Sequence, residues 1–252
     1  MHVELAHLDP AHVGVDRQAH RERARLAART SPRGIPEGWA ALERLAMSAV
    51  LRRDPTGLHG KRVGALVKAL AIASGTDPLE ALEMGLAAEA HDIGLLSIPD
   101  AILRKPDSLN EAERGIVRRH VDAGVEMLGD DRHPRVFVAR EIVRYHHARW
   151  DGEGHPGVGG KRIPLAARLC AVADAYDSMV CGLGARPPRT MQQALDALRA
   201  EAGGQFDPEL VACFDDLIRA ETEDLGVDFS SNPGMEEFQS LVNALQEDRG
   251  FV

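Results

Sequence analysis

The sequence predicts an all-α fold, a helical bundle, and three observations lead to this prediction. Apolar residues make up 44% of the 252 residues but aromatic residues only 4%, so the core must be mostly alanine, leucine, valine and isoleucine. Alanine and leucine favour helices, and apolar residues recur at helical spacing along most of the chain. Alternating patterns typical of β-strands are scarce. We therefore expect about seven or eight helices.

Breaker residues and changes in composition divide the chain into three parts. Residues 1–36 are polar and charged and lead into the breaker run SPRGIPEG, so we expect an N-terminal extension over 1–36. The main domain is predicted over 37–222, and a C-terminal tail with one amphipathic helix over 223–252. The helical segments predicted in the main domain are 39–53, 59–74, 77–94, 110–128, 134–150, 165–180, 191–203 and 207–221.

Capping residues support two of these helix starts. Asp77 is a predicted N-cap with Pro78 at the first helical position. Asn110 is followed three residues later by Glu113, which is a capping-box pattern. Loops are expected between helices, over 96–109 and in the glycine-rich run 151–164.

The tail has its own helix signal and leaves two interpretations open. Asn232 is a predicted cap and Pro233 a predicted first helical residue. The helix carries one apolar stripe, made of Phe238, Leu241, Val242 and Leu245. This stripe either docks on the chain's own domain or forms a dimer contact.

Charge and cysteine content exclude several function classes. The formal net charge is −9, so we expect no DNA or RNA partner, although a few local arginines can still hold a small phosphorylated ligand. The three cysteines form no C-x-x-C pair, which favours a reducing cytoplasm over a disulfide framework. No apolar run reaches about 18 residues, so no membrane span is expected, and the polar N-terminus does not look like a signal peptide.

Histidines and aspartates stand within apolar helical surroundings on five different segments. An unpaired polar side chain is costly in such surroundings, whereas polar side chains from the inner faces of several helices can build a metal centre in a bundle core. Side chains adjacent on a helix point about 100° apart, so His146 and His147 suit two ions, or one ligand and one outer-shell group. Two ions bridged by an aspartate can share a water that attacks phosphorus.

Together these residues closely resemble the HD-GYP family, a branch of the HD superfamily of metal-dependent phosphohydrolases. The resemblance covers about residues 40–215, and its motifs occur in the family's order: HGKRV, HDIGLLSIPDAILRKP, HVDAG, HHARWDGEGHP, IPLAARL, AVADAYD and RPPR. It implies a helical HD domain with a binuclear centre of two divalent ions, typically iron or manganese. The implied metal ligands are His59, His91, Asp92, His120, His146, His147 and Asp174, with Asp92 as the bridge.

The resemblance also implies an activity and further site residues. Family substrates are cyclic dinucleotides, chiefly cyclic di-GMP, whose phosphodiester is opened by a metal-bound hydroxide. Asp177 is expected to orient a metal-bound water or a ligand histidine. Arg186 and Arg189 match phosphate-facing positions, with surface arginines as the alternative, and Arg168 is expected to fix core carboxylates or reach the ligand.

Four departures from the family pattern keep other functions open. Leu95 replaces the lysine of HDIGK, so a cation near the substrate phosphate is lost. His155 replaces the tyrosine of GYP, and either touches a phosphate or base or is a loop residue without a ligand role. Pro55 replaces a glutamate that holds a third metal in some members, so we expect two ions, and Ala148 replaces the glutamate of HHE.

These departures define the alternatives to a cyclic di-GMP phosphodiesterase. One alternative is a catalytically weakened domain that senses a nucleotide or binds a signalling partner protein through its N-terminal segment. Another is a phosphohydrolase for a different nucleotide. Homodimerisation through the tail is a further expectation that the sequence leaves open.

Overall fold

The computed structural model describes residues 37–105, 107–130, 132–183, 187–226 and 235–247. The predicted extension over 1–36, Arg186 and the cap residues Asn232 and Pro233 lie outside these ranges. Within them the regular structure is helical, with one isolated bridge between Ala202 and Phe206, so the all-α prediction is confirmed. None of the described helices is both long and apolar enough to cross a membrane.

The described part of the chain contains more helices than the sequence predicts, because several short helices stand in segments expected to be loops or longer helices. Two 3₁₀ turns, Ile93–Ser97 and Gly160–Arg162, add to them. The α-helices are α1 Trp39–Val50, α2 His59–Ala73, α3 Pro78–Ala88, α4 Asp100–Leu103, α5 Glu111–Arg118, α6 His120–Leu128, α7 Pro134–Tyr145, α8 Leu165–Cys181, α9 Met191–Ala200, α10 Pro208–Leu225 and α11 Met235–Glu247.

Helix α2 is the centre of the core. Every residue from Arg62 to Ile72 is buried, as expected for a helix surrounded by other helices rather than lying at the surface. It packs against α3, α8, α10 and α11. His59 is the first residue of this helix, so the packing of the helix fixes the position of its backbone.

Two glycines let α2 and α3 approach closely. A Cβ atom on Gly64 would lie 2.7 Å from the carbonyl oxygen of Gly85, and a Cβ on Gly85 would lie 2.7 Å from the carbonyl oxygen of Gly64. Such distances exclude any larger residue without a shift of the helices. The close crossing brings the start of α2 beside the turn that follows α3, and the rings of His59 and His91 lie 5.1 Å apart.

Both predicted helix caps are confirmed, and one predicted helix is divided. Asp77 accepts hydrogen bonds from the backbone of Leu79 and Glu80, and Asn110 forms a capping box with Glu113. The segment 110–128 is predicted as one helix, but it breaks at Arg119, whose backbone N–H bonds to the carbonyl of Ile116 in a tighter turn. The break places His120 at the start of α6.

The tail helix α11 packs on the same domain as the rest of the chain. Its apolar stripe, from Phe238 to Leu245, is buried against α2 and α10. The ring of Phe238 meets the ring of Tyr176 edge-on at 6.0 Å. Of the two interpretations of this stripe, the structure therefore agrees with docking on the chain's own domain. Helix α10 continues to Leu225, three residues beyond the boundary expected at 222.

Candidate metal centre

The seven side chains predicted as metal ligands lie in two adjoining groups. Within each group, one ligand atom from every residue lies within 4.8 Å of the others. The first group comes from the start of α2, the turn after α3 and the middle of α8; the second comes from that turn, the start of α6 and the end of α7. The groups are His59, His91 and Asp174, and Asp92, His120, His146 and His147.

Asp92 stands between the two groups. Its Oδ1 atom lies 3.6 Å from Nε2 of His120 and 3.9 Å from Nε2 of His146. Its Oδ2 atom lies 3.7 Å from Nε2 of His91, a member of the other group. A carboxylate with one oxygen toward each group has the placement that a bridge between two cations requires.

Backbone carbonyls hold three of the candidate ligand histidines through Nδ1, the ring nitrogen that points away from the centre. Nδ1 of His91 bonds to the carbonyl of Ala88 at 2.9 Å, and Nδ1 of His120 to that of Val117 at 2.6 Å. Nδ1 of His146 lies 3.0 Å from the carbonyl of Ile142. A carbonyl can only accept, so each ring carries its proton on Nδ1 and presents the lone pair of Nε2 to the centre.

One unsatisfied atom supports a metal ion at this centre. Nε2 of His91 is fully buried and has no hydrogen-bond partner among the described residues. A buried polar atom without a partner costs about 1–3 kcal/mol, and a lone pair that faces two carboxylates suits a divalent cation. Imidazole nitrogens with carboxylate oxygens suit iron or manganese. The residues present therefore fit the metal ions that the resemblance implies.

His59 belongs to a buried ion-pair network behind the ligands. Its Nδ1 lies 2.7 Å from Oδ2 of Asp177, and its Nε2 lies 3.3 Å from Oδ1 of Asp174. Arg62 donates to both oxygens of Asp177, at 2.5 and 3.0 Å. Although burial lowers the pKa of His59, its bonds to Asp174 and Asp177 raise that pKa to about 10. Asp177 is fully buried, so it acts by orienting His59 rather than by touching solvent or substrate.

Asp54 supports the same network and is not oriented as a ligand. Its oxygens accept bonds from the hydroxyl and backbone of Thr56, the backbone N–H of His59 and the guanidinium of Arg62. The neighbouring Pro55 has no donor atom for a metal in its side chain.

Neighbouring charges set the ionisation of the carboxylates. Burial alone would raise the pKa of Asp92, but its electrostatic interactions with the neighbouring His91, His120 and Arg53 side chains hold that pKa well below its usual range. Burial alone would also raise the pKa of Asp174, but the hydrogen bond from His59 and the electrostatic interactions with His91, His59 and His147 together lower it. Burial lowers the pKa of His146, so this histidine stays neutral. Ionised carboxylates and a neutral imidazole are the forms that bind a metal.

The adjacent histidines have different surroundings. His146 is buried, whereas His147 is exposed although its ring contacts those of His120 and His146. The side chain of Asp174 is 20% exposed. The centre therefore opens to solvent beside His147 and Asp174, and is closed beside His59, His91 and His146.

A third close glycine contact brings the second group together. A Cβ atom on Gly94 would collide with the carbonyl oxygen of His120 and lie 2.6 Å from the amide nitrogen of Gly124. The turn that carries Asp92 can therefore lie directly on the first turn of α6. This contact explains the glycines of HDIG and HVDAG, for which the sequence alone predicts no role.

The residues predicted to contact substrate do not lie in one cluster, in contrast to the predicted metal ligands. Arg168 pairs with Asp207 at 2.5 Å and lies over the ring of Trp150, so its guanidinium fixes the loop before α8 to the start of α10. His155 is exposed on its loop. Arg189 is exposed and its backbone N–H bonds to the carbonyl of Met179 on α8. Arg186 lies outside the described residues.

The segment Arg52–Asp54, between α1 and His59, also belongs to the site and is absent from the sequence-based prediction. Arg52 donates to the carbonyls of Leu95 and Ile98 and pairs with Asp100, so it holds the turn that carries Asp92. Nη1 of Arg53 lies 3.8 Å from Oδ2 of Asp92. The signal available in the sequence is the run of two arginines and an aspartate just before a ligand histidine.

Comparisons with known proteins identify relatives of this chain. Three curated relatives are a 3'3'-cGAMP-specific phosphodiesterase of Vibrio cholerae, 37% identical over 66% of this chain, and cyclic di-GMP phosphodiesterases of Thermotoga maritima, 34% over 70%, and Pseudomonas aeruginosa, 40% over 76%. The matched regions are 32%, 48% and 47% of those relatives, so the chain spans a third to a half of their length.

Solved structures support the fold. An HDG"Y"P protein from Bdellovibrio bacteriovorus gives a TM-score of 0.52 at 20% identity, covering 84% of this chain and 75% of that one. A cyclic GMP-AMP-specific phosphodiesterase from V. cholerae gives 0.54 at 15% identity, covering 82% and 57%. The family model described as HD domain matches residues 41–210. The resemblance found in the motifs is confirmed, and the chain belongs to the HD domain family.

Proposed function

We propose that this chain hydrolyses a phosphodiester bond of a cyclic dinucleotide, cyclic di-GMP, at a centre that holds two divalent metal ions, iron or manganese. The observation that carries the proposal is the position of Asp92, whose two oxygens face two separate groups of ligands. Two adjoining sites that share a carboxylate suit phosphodiester hydrolysis. The names of the curated relatives point to cyclic dinucleotides.

Different residues of the chain would hold the two metal ions and orient the histidines. His59, His91, Asp174 and Asp92 would hold one ion, and Asp92, His120, His146 and His147 the other. Divalent ions at such a centre supply Lewis acidity and an activated water at neutral pH. The carbonyls behind His91, His120 and His146 keep the Nε2 lone pairs directed inward, and Asp177 with Arg62 does the same for His59.

Substrate would enter where the centre is open, beside His147 and Asp174. The loop with His155 and the exposed Arg189 are the predicted contacts for the flanking phosphate or a base. Arg168 is held by Asp207 and stabilises the loop instead. We also propose a cytoplasmic location, where cyclic dinucleotides act as signals, and a signalling partner that acts through residues 1–36.

Hydrolysis is tested with protein purified without oxygen and loaded with Fe(II) or Mn(II). Cyclic di-GMP and 3'3'-cGAMP are supplied separately, and products are separated by chromatography. We expect faster turnover of cyclic di-GMP, and loss of both metal and turnover in Asp92→Asn. Tight binding without turnover by the metal-loaded protein would contradict the enzyme and support a nucleotide sensor. Faster turnover of 3'3'-cGAMP would correct the substrate.

A further inference from the structure

The position that carries a lysine in the family pattern supplies no cation here. The Leu95 side chain is 1% exposed and packs in an apolar cluster with Ala49 and Ile98. Its carbonyl is held by Arg52, which fixes the backbone of this turn. A phosphate that approaches the centre therefore needs its positive partner from another element of the chain.

Arg53 places a cation beside the centre from a different direction. Its Nη1 atom lies 3.8 Å from Oδ2 of Asp92, which is longer than a hydrogen bond. The Arg53 side chain is 36% exposed, whereas that of Asp92 is 9% exposed. The guanidinium thus lies beside the carboxylate that stands between the two ligand groups, and it is more accessible to solvent than that carboxylate.

Interactions of the two neighbouring residues fix the backbone of Arg53, although the Arg53 side chain is partly exposed. Arg52 is bonded to Leu95, Ile98 and Asp100, and Asp54 is buried in its network with Arg62. The backbone N–H of Arg53 bonds to the carbonyl of Val50 at 2.8 Å. An arginine with a fixed base and a solvated head can turn toward a ligand at a small entropic cost.

Resting on the proposed function, we propose that Arg53 is a substrate-binding residue whose guanidinium contacts the phosphate oxygens of the dinucleotide at the open side of the centre. A guanidinium presents several N–H donors in the planar arrangement that phosphate accepts, and such charge-assisted bonds are strong. Metal ions held by Asp92 would neutralise its charge, and the Arg53 guanidinium would then be available to the phosphate. Arg53 thereby supplies the positive charge for the phosphate that Leu95 cannot supply.

The experiment compares Arg53→Gln, Arg53→Lys and Arg44→Gln in the Mn(II)-loaded full-length chain. Arg44 is exposed on α1 and has no contact with the ligand groups among the described residues, so it controls for the loss of one positive charge. For each variant we measure manganese per chain and the melting temperature. Calorimetry gives the Kd for inorganic phosphate and for linear GMP dinucleotide, and kinetics give kcat and KM for cyclic di-GMP.

We expect Arg53→Gln to keep its manganese and melting temperature and to weaken binding of the linear dinucleotide by about 10- to 100-fold, the usual size of a charge-assisted bond. Arg53→Lys should recover part of this loss, and Arg44→Gln should stay within about twofold of the unaltered chain. Unchanged phosphate and dinucleotide binding in Arg53→Gln would overturn the proposal, as would a loss of manganese that accounts for the whole effect.

The two proposals fail in different ways. If the unaltered chain does not turn over any cyclic dinucleotide, the proposed function fails, while phosphate and dinucleotide binding still decide the role of Arg53. If the unaltered chain binds neither phosphate nor linear dinucleotide, the role of Arg53 is refuted. If turnover is present and Arg53→Gln matches Arg44→Gln, only the inference about Arg53 fails.

Discussion

Two sides of the metal centre differ in how their polar side chains are held. The buried wall, formed by Asp54, His59, Arg62 and Asp177, is almost completely shielded from water, and each member has a partner of opposite charge or a backbone partner. The open face, formed by Arg53, His147 and Asp174, is partly or largely exposed, and the Arg53–Asp92 and His59–Asp174 contacts there are longer.

From this difference we infer which side fixes the geometry of the centre and which side is accessible to a substrate. Buried charges are tolerated only when they are paired and hydrogen-bonded, so the wall has one arrangement. Metal centres that do chemistry keep one side accessible, and the mobile, solvated groups belong there. Substitutions in the wall should therefore lower stability as well as metal affinity, whereas substitutions on the face should change metal or substrate binding with little effect on stability.

The largest effect is expected from Gly94→Ala, because Gly94 supports both sides through the contact between the Asp92 turn and α6. An added Cβ would collide with the His120 carbonyl, and backbone on both sides leaves no flexible group to move away. We expect a loss of more than about 3 kcal/mol in the free energy of unfolding, beyond the usual cost of overpacking, and a loss of bound metal. Denaturant unfolding and metal analysis measure both.

Gly115→Ala is the matched control for Gly94→Ala. Gly115 lies on α5, and a Cβ there would meet nothing within 4 Å. Alanine favours helix over glycine by about 1 kcal/mol, so this variant should be as stable as the unaltered chain or more stable. Equal stabilities for the two alanine variants would show that the close contact between Gly94 and α6 does not exist in solution.

The next effect concerns the wall itself. Asp177→Asn keeps the size of the side chain but removes the charge that orients His59 and balances Arg62. Loss of such an outer partner typically weakens metal binding by about 10- to 100-fold, and we expect this range in a competition titration with a chelator. Asp216→Asn, an exposed position on α10, should leave metal affinity unchanged. Metal affinity retained in Asp177→Asn would mean that His59 needs no carboxylate to orient it.

The candidate ligands could be predicted from the sequence because the family motifs occur in order, whereas the chemistry of each residue taken alone left its role open. His59 and the His91–Asp92 pair stand where apolar helical periodicity stops, and histidines or aspartates in apolar surroundings require a partner. The helical fold followed from composition and periodicity. The caps Asp77 and Asn110 were correct because a cap is a local interaction between residues two or three apart.

The features of the fold and of the site that could not be predicted depend on contacts between segments that are distant in the sequence. The break at Arg119, which splits one predicted helix and places His120, has no breaker residue in the sequence to announce it. The reach of Arg52 to Leu95 and the position of Arg53 beside Asp92 are set by how α1 packs on the following turn. Arg168 illustrates the same point, since its partner Asp207 lies 39 residues away on α10.

His146 is buried and the adjacent His147 is exposed, so these two histidines extend the comparison between shielded and open parts of the centre. His146→Gln removes a buried ring whose Nδ1 is bonded to two carbonyls, and we expect a loss of about 1–3 kcal/mol in unfolding free energy for the metal-free chain. His147→Gln alters an exposed ring and should change that free energy by less than about 0.5 kcal/mol. Both variants should lose metal. Equal losses of stability would contradict the division.

A pH-dependent effect is expected from the proton on His59 in the metal-free chain. The pKa of His59 is about 10 in the folded chain, against 6.5 for an unperturbed histidine, since Asp174 and Asp177 hold the charged form. A raised folded pKa adds stability that is complete below pH 6.5 and is lost as the pH rises to about 10. The stability difference between the unaltered chain and His59→Gln should therefore shrink over this window, by roughly 1 kcal/mol per pH unit.

Metal loading uses the same nitrogen of His59, so the decline should disappear when metal is bound, and metal affinity should rise across the window. Denaturant unfolding of both chains at a series of pH values, with and without metal, measures the difference. A stability difference that stays constant from about pH 7 to 10 in the metal-free chain would mean that His59 is neutral there. The wall would then hold two carboxylates against Arg62 alone, an arrangement that buried charges rarely tolerate.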